Sequence, residues 1–266
     1  MIEEKHVDYY SITETPGLGA TKEQAQRLYQ RYRFAKSFVK GKEVLEVACG
    51  SGMGLAYLAE EAAGVIGGDI DEKNVSLAKK HLKDNKKIDI RLMNAHDIGL
   101  PDESVDLVIL FEAIYYLRDP KKFIEEVCRV LRKDGSIIMC SVNKDWEDFH
   151  PSPYTYRYFS VPELKGLLKS RFTGVNFYGG FPVSKEGVKD RTVSCIKRVA
   201  LKFNFIPGSL KARSYLKRIF IGELTPLPKD IYSDMAAFDE PCEIMDGQVN
   251  KDYKIIYAVA NKPRSR

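Results

Sequence analysis

Apolar runs at residues 43–48, 64–68, 88–93, 105–111 and 135–142 alternate with stretches at 53–61, 72–85 and 121–132, where apolar positions recur every three or four residues. Short runs rich in Val, Leu and Ile predict strands, and the three-to-four spacing predicts helices. This alternation requires right-handed crossovers and a mostly parallel sheet. Ahead of it, after a turn signal at Pro16-Gly17, residues 21–39 predict a helix with Thr21 as cap and Glu23 as first-turn acid. Behind it, Ser160 and Pro162 open a predicted helix at 161–169, and strands follow at 172–178 and 253–260. The expected fold is α/β, a doubly wound seven-stranded mostly parallel sheet.

The last two strands need only a short turn to pair, yet roughly 70 residues separate them, so an insertion with its own structure is expected there. Its helices are predicted at 188–201 and 210–220. The resulting plan is an N-terminal helical lead or lid (1–40), a core (41–182 and 248–262) and an insertion (183–247).

Charge divides the insertion. Residues 185–218 hold ten Lys or Arg against two acids, a net of +8, and residues 223–246 hold seven acids against Lys229, a net of −6. With +5 overall, the chain is no polybasic nucleic-acid binder; only that one segment is strongly basic. The basic segment reads first as two helices packed over the sheet edge with solvated lysines; the alternatives are an anionic acceptor, an anionic membrane surface, or pairing with the acidic stretch of the same chain or of a second copy in a homodimer. No apolar stretch approaches the roughly 20 residues of a membrane span, and the first residues lack an export signal, so a cytoplasmic protein is expected. Five dispersed cysteines without a CxxC pair argue against disulfides, and no metal is expected.

The segment with most chemistry is Val44-Leu45-Glu46-Val47-Ala48-Cys49-Gly50-Ser51-Gly52-Met53-Gly54, a strand entering a turn of alternating small residues before a helix. Such a turn brings backbone amides to a ligand at the carboxyl end of the first strand. A dinucleotide fingerprint needs a third glycine where Leu55 stands, and Glu46 would repel a pyrophosphate while suiting a cation. S-adenosylmethionine, with its ammonium and sulfonium, fits better than NAD. Nineteen residues after Gly50, Asp69 ends the second strand, placed for ribose hydroxyls, with Ile70 beside it for the adenine face.

The runs VLEVACGSGMG, GGDIDEKNVSLAKKH, LMNAHDIGLPDESVDLVILFEAIYYLRDP and VCRVLRKDGSI, in that order, resemble the class I S-adenosylmethionine-dependent methyltransferases over residues 44–141. The resemblance implies that Glu46, Ala48, Gly50 and Gly52 form the methionine end of the site and that Asp69 holds the ribose. The family's Asp-Ala at the third strand is Asn94-Ala95 here, an amide still able to accept from the adenine amino group. His96 falls in the same adenine-side loop, and Phe111 faces the transferable methyl. The stretch Arg31-Tyr32-Arg33-Phe34-Ala35 is similar to one in members acting on sugars or related metabolites, which implies that Arg31, with Arg33 in reserve, meets the methionine carboxylate.

On the acceptor side, Glu112 is a candidate general base, a cofactor-facing polar group or a surface acid. His150 and Tyr154 are further proton-acceptor candidates. Tyr116, Trp146, Tyr156, Arg157 and Tyr158 are candidate substrate-binding residues on an aromatic loop that follows the fifth strand, where Arg157 would meet an anion. Cys140 ends that strand, but no partner cysteine stands at the end of strand four, so a covalent thiol is disfavoured. Phe111-Glu112-Ala113-Ile114 replaces the Asp/Asn-Pro-Pro-aromatic run expected of a base methylase. The expectation is methyl transfer by direct displacement to a small-molecule acceptor, leaning to O-methylation of a sugar or saccharide-linked acceptor. An RNA or protein methyltransferase docking through the basic insertion, and a non-catalytic cofactor-binding subunit, remain as alternatives.

Overall fold

The computed structural model of the chain describes residues 9–183 and 224–263. In chain order these form α1 (Tyr9–Ile12), β1 (Gly19–Ala20), α2 (Lys22–Lys36), β2 (Glu43–Val47), α3 (Leu55–Ala59), β3 (Gly64–Asp69), α4 (Glu72–Leu82), β4 (Ile88–Leu92) and β5 (Val105–Phe111). They continue with α5 (Pro120–Val130), β6 (Leu131–Val142), α6 (Val161–Leu168), β7 (Thr173–Pro182), β8 (Thr225–Pro226), β9 (Cys242–Ile244) and β10 (Tyr253–Asn261).

The sheet runs β4-β3-β2-β5-β6-β10-β7-β9. Strands β2 to β6 pair in parallel, while β10 is antiparallel to both β6 and β7, and β9 is antiparallel to β7. The chain order reverses on either side of β2, the switch point where ligands bind in such sheets. Along β5, Leu107, Ile109 and Phe111 pack into one core layer with α2, α3 and α4, and Val108 and Leu110 pack into the other with α5 and α6. A strand buried on both faces reads as an apolar run, here Leu107–Phe111 preceded by Val105 and the half-buried Asp106, and β5 has the bounds predicted for it.

Caps fix where the helices begin. Thr21 and Gln24 form a reciprocal capping box on α2, and Ser160 and Glu163 form another on α6. Asp71 caps α4 and Asp119 caps α5, each through two backbone N–H groups.

Three expectations change. The sheet has eight strands rather than seven, because Phe177–Gly179 of β7 still offers an unpaired edge, which Cys242–Ile244 takes. Within the expected helical insertion, described residues 224–247 hold the short strands β8 and β9 and no helix; the predicted helices at 188–201 and 210–220 lie outside the described residues. Finally, α2 belongs to the core, with Leu28, Tyr29, Tyr32 and Phe34 packed into the same cluster as the sheet. None of the described helices is long and apolar enough to cross a membrane.

Candidate active site

The carboxyl ends of β2, β3 and β5, the start of the loop after β4, and one face of α2 enclose a cavity of about 530 Å³. Gln24, Arg27, Leu28 and Arg31 of α2 all line it, as their three-and-four spacing on one helix face requires.

At the centre stands Glu46, 1% exposed. Its Oε1 accepts from the Tyr32 hydroxyl at 2.6 Å, while Oε2 is buried without a hydrogen-bond partner. Burial pushes its carboxyl up to about 8, although the Tyr32 hydroxyl and the Arg31 charge both pull it down. Tyr32 reaches Glu46 only because residue 54 is glycine: a Cβ there would lie 1.9 Å from the Tyr32 ring. Burial works against the Arg31 charge, but Glu14, with Tyr32, Glu112 and Cys140 behind it, more than offsets this and keeps the guanidinium protonated. Arg31 is ion-paired to Glu14, and its Nε is buried without a partner.

Asp69 ends β3 with one oxygen accepting from Gly50 N (2.8 Å) and the other from Asp71 N (2.9 Å) and the Asn74 amide (3.3 Å). Burial raises its carboxyl above the usual range even so. Ile70, 53% exposed, presents an apolar face beside it at the cavity wall. Ala48 and Gly50 take positive φ (+57° each), bending the backbone of the turn along the cavity.

The segment before α2 borders the same space through Tyr9, Thr13 and Glu14. It is tied to both ends of the site. Tyr10 N donates to Asp71, the Asn74 amide to Thr13 Oγ1, and Ser51 Oγ to the Glu14 carbonyl. Sequence reasoning missed Tyr9, Thr13, Glu14 and Tyr32. Only Tyr32 carried a signal, in its position beside Arg31.

Of the expected cofactor residues, Arg31, Glu46, Ala48, Gly50, Asp69, Ile70, Asn94, Ala95, His96 and Phe111 all line the cavity. Gly52 does not: a Cβ there would press on Ala78 and Leu82 at 3.0 Å, so this glycine lets α4 pack against the turn. Asn94 also differs in detail. Its Oδ1 accepts from His96 N (2.9 Å) and faces His96 Nδ1 (3.2 Å), so its amide group is left to donate rather than to accept. Asp119 N donates to His96 Nε2, and burial lowers the His96 pKa, so the ring is a neutral loop brace.

Glu112 lines the cavity at the end of β5, in a left-handed backbone conformation (φ +50°). Tyr115 Oη (2.8 Å) and Val142 N (3.2 Å) donate to Oε2, and Cys140 Sγ lies 3.6 Å from Oε1. Cys140 is 2% exposed, and burial together with Glu112 pushes its thiol well up, the opposite of what a nucleophilic thiolate needs. Tyr116 lines the cavity, its hydroxyl pushed up to about 12 by burial, Tyr158, Glu112 and Tyr9.

The remaining acceptor-side candidates are not brought into the cavity lining. His150 is exposed, its Nδ1 on the Asp148 carbonyl, and Tyr154 is 50% exposed; neither lines the cavity. The Arg157 side chain, 60% exposed, pairs with Glu163 at the start of α6. Tyr158 packs against the rings of Tyr115 and Phe149, and Tyr156 N donates to the Tyr115 carbonyl. Trp146 lies under the Lys254 ammonium.

A buried carboxylate oxygen without a partner and a buried guanidinium beside it fit the ammonium and carboxylate of a methionine moiety. Asp69 on the far side of the turn fits ribose hydroxyls. Comparison with known proteins agrees. Residues 45–139 match the family described as Methyltransferase domain. A probable S-adenosylmethionine-dependent methyltransferase of Mycolicibacterium smegmatis is 35% identical over 49% of this chain and 51% of the relative. A ubiquinone biosynthesis O-methyltransferase of Bradyrhizobium diazoefficiens is 29% identical over 50% of this chain and 52% of the relative. The chain thus spans about half the length of these curated relatives. In fold it is similar to a Thermotoga maritima methyltransferase described as a possible histamine N-methyltransferase, with a TM-score of 0.57 and 15% identity over 90% of this chain and 92% of that one. Motif order, sheet order and the buried acids at the switch point all agree: residues 45–139 match a methyltransferase domain, and the chain is similar to S-adenosylmethionine-dependent methyltransferases in that region and in its fold.

Proposed function

We propose that this chain transfers a methyl group from S-adenosylmethionine to an oxygen of a small-molecule acceptor by direct displacement. The observation that carries this is the pair of buried acids, Glu46 and Asp69, at the carboxyl ends of adjacent parallel strands, with the unpartnered Oε2 of Glu46 lining the cavity. Glu46 and Arg31 would hold the methionine end, Asp69 the ribose, and Ile70 and Ala95 the adenine. When bound, the cofactor supplies an electrophilic methyl on a positively charged sulfur.

The chain's own residues orient the acceptor, exclude water and take a proton. Glu112 is the one carboxylate of the cavity that lies at the end of β5; Tyr115 and Val142 N fix its Oε2, and Oε1 has only the weak thiol donor of Cys140. It is the base we assign for a hydroxyl acceptor, whose proton it would accept. Tyr116 and Phe111 keep the space about it apolar, and Tyr32 packs edge-on to Phe111 at 5.2 Å. The O-methyltransferase names among the relatives support oxygen as the acceptor atom. The sugar expectation, drawn from the Arg31 region and the stretch at 154–159, gains no such support from the names of the relatives.

Calorimetry with S-adenosylmethionine, followed by labelled-methyl transfer into a fractionated metabolite extract with and without nuclease and protease, tests the proposal. Label in a small-molecule fraction that is base-stable and ether-linked is the expected result. Label lost to nuclease or protease would assign the chain to RNA or protein, and binding without transfer would make it a non-catalytic cofactor-binding subunit.

A further inference from the structure

The segment ahead of α2 crosses the turn after β2 and borders the cavity. Thr13, Glu14 and Leu18 line it, and a Cβ at Gly50 would lie 2.7 Å from Thr13 Cγ2, so the segment rests directly on the turn. Its backbone is pinned along its length. Tyr10 N donates to Asp71 Oδ2 at 3.1 Å, and Ser51 Oγ donates to the Glu14 carbonyl at 2.9 Å. Beside the β1–β8 ribbon, Gly17 N donates to the Leu227 carbonyl and Leu227 N to the Leu18 carbonyl, each at 2.9 Å. Rearrangement over the turn therefore falls to side chains, and the Glu14 carboxyl, 34% exposed, is the one paired with a cation of the cavity wall.

That pairing uses one prong of a two-pronged group. Glu14 Oε2 meets Nη2 of Arg31. Nε and Nη2 share one edge of a guanidinium, and this edge takes a carboxylate through two parallel N–H···O bonds. Arg129 shows the filled arrangement: its Nε donates to Glu126 Oε1 at 2.9 Å and its Nη2 to Oε2 at 2.8 Å. In Arg31 the second donor of the edge, Nε, is buried without a partner. A buried donor left unmade is a standing cost, and a carboxylate seated on both prongs would remove it.

We propose that Glu14 is a placeholder for the methionine carboxylate of the cofactor: it holds Arg31 by one bond and yields the Nε–Nη2 edge to a carboxylate that fills both prongs. This rests on the methyltransferase reading of the cavity. Two carboxylates cannot occupy one edge, so Glu14 competes with the amino-acid end of the ligand and not with its adenosine end. S-adenosylhomocysteine carries the same carboxylate, so the competition loosens product as well as cofactor, which suits a reaction whose product differs from its cofactor by one methyl group.

The test titrates the full chain by calorimetry with S-adenosylmethionine and with decarboxylated S-adenosylmethionine, which lacks only that carboxylate. Glu14→Gln should bind S-adenosylmethionine about fivefold tighter than the parent, the scale of a partly exposed ion pair, and should bind the decarboxylated form no tighter. Both ligands carry net positive charge, so loss of a negative charge by itself would weaken both. An equal gain for the two ligands, no gain for S-adenosylmethionine, or a loss would overturn the assignment. If Glu14→Gln lowers the thermal midpoint, the ratio of the two affinities in that variant decides, because both ligands meet the same segment. Failure of S-adenosylmethionine to bind the parent chain would instead remove the methyltransferase reading.

Discussion

The two ends of the cavity are built in different ways. The end proposed for the cofactor comes mainly from one stretch, Glu46 to His96, in which acids and small residues stand at the ends of neighbouring parallel strands. Its geometry follows from the sheet. The other end is recruited from Gln24, Leu28 and Arg31 on α2, Tyr9 and Glu14 ahead of it, and Glu112 after β5. Where backbone register places the groups, sequence spacing is a ruler. Where long side chains from distant elements meet, spacing measures nothing.

That contrast predicts unequal sensitivity. The largest effect should follow Gly54→Ala, whose Cβ would overlap the Tyr32 ring; overpacking of this kind destabilises by about 2–3 kcal/mol, and the displaced Tyr32 should take cofactor binding with it. Denaturant midpoints and calorimetry measure both, and a variant as stable as the parent would mean the ring has another place to go. Next, Asp69→Ala should weaken cofactor affinity by one to two decades through loss of charge-assisted bonds of roughly 1.5–3 kcal/mol. Unchanged affinity in a folded variant would take Asp69 out of the ribose site.

The third effect is a pH dependence. Glu46 is held at about 8, well above its ordinary value, so the folded chain binds this proton more tightly than the unfolded chain does. Its contribution to stability is therefore full below the ordinary carboxylate range and is lost as pH rises through about 8. An ammonium needs the ionised form, so cofactor affinity should move the other way, rising by up to tenfold per pH unit between about pH 6 and 7.5. Glu46→Gln should flatten both profiles, as melting curves and calorimetry across that range would report. The smallest effect is expected at Arg157. Its replacement by Ala removes an exposed pair with Glu163, a change below about 1 kcal/mol, and should leave acceptor kinetics alone. A raised KM would return Arg157 to the acceptor site.

The core strands and the caps at Thr21 and Ser160 were legible because their patterns are local. The eighth strand was not, since Cys-Glu-Ile is too short to show a period and pairs only because β7 offers an edge. The turn after β2 was half legible. Its glycines read as one amide-presenting run, yet each answers a different neighbour: Thr13 at Gly50, α4 at Gly52 and Tyr32 at Gly54. Glu14 was invisible, because nothing in a polar lead signals that one carboxylate will meet Arg31. His150, Tyr154 and Arg157 were chosen for their chemistry on an aromatic loop, yet none of the three lines the cavity; in that loop Tyr158 packs against Tyr115 and Phe149.

The contact of Tyr32 with Gly54 bears on how this sequence can drift. A phenol from α2, a carboxylate inside β2 and a missing side chain ahead of α3 fit only together: a methyl group at 54 evicts the ring, loss of the hydroxyl strands the second Glu46 oxygen, and loss of Glu46 leaves a buried phenol without its acceptor. Positions 32, 46 and 54 therefore form one heritable unit. Single changes within it pass through a damaged intermediate, so related chains are expected either to keep all three or to have exchanged them as a set.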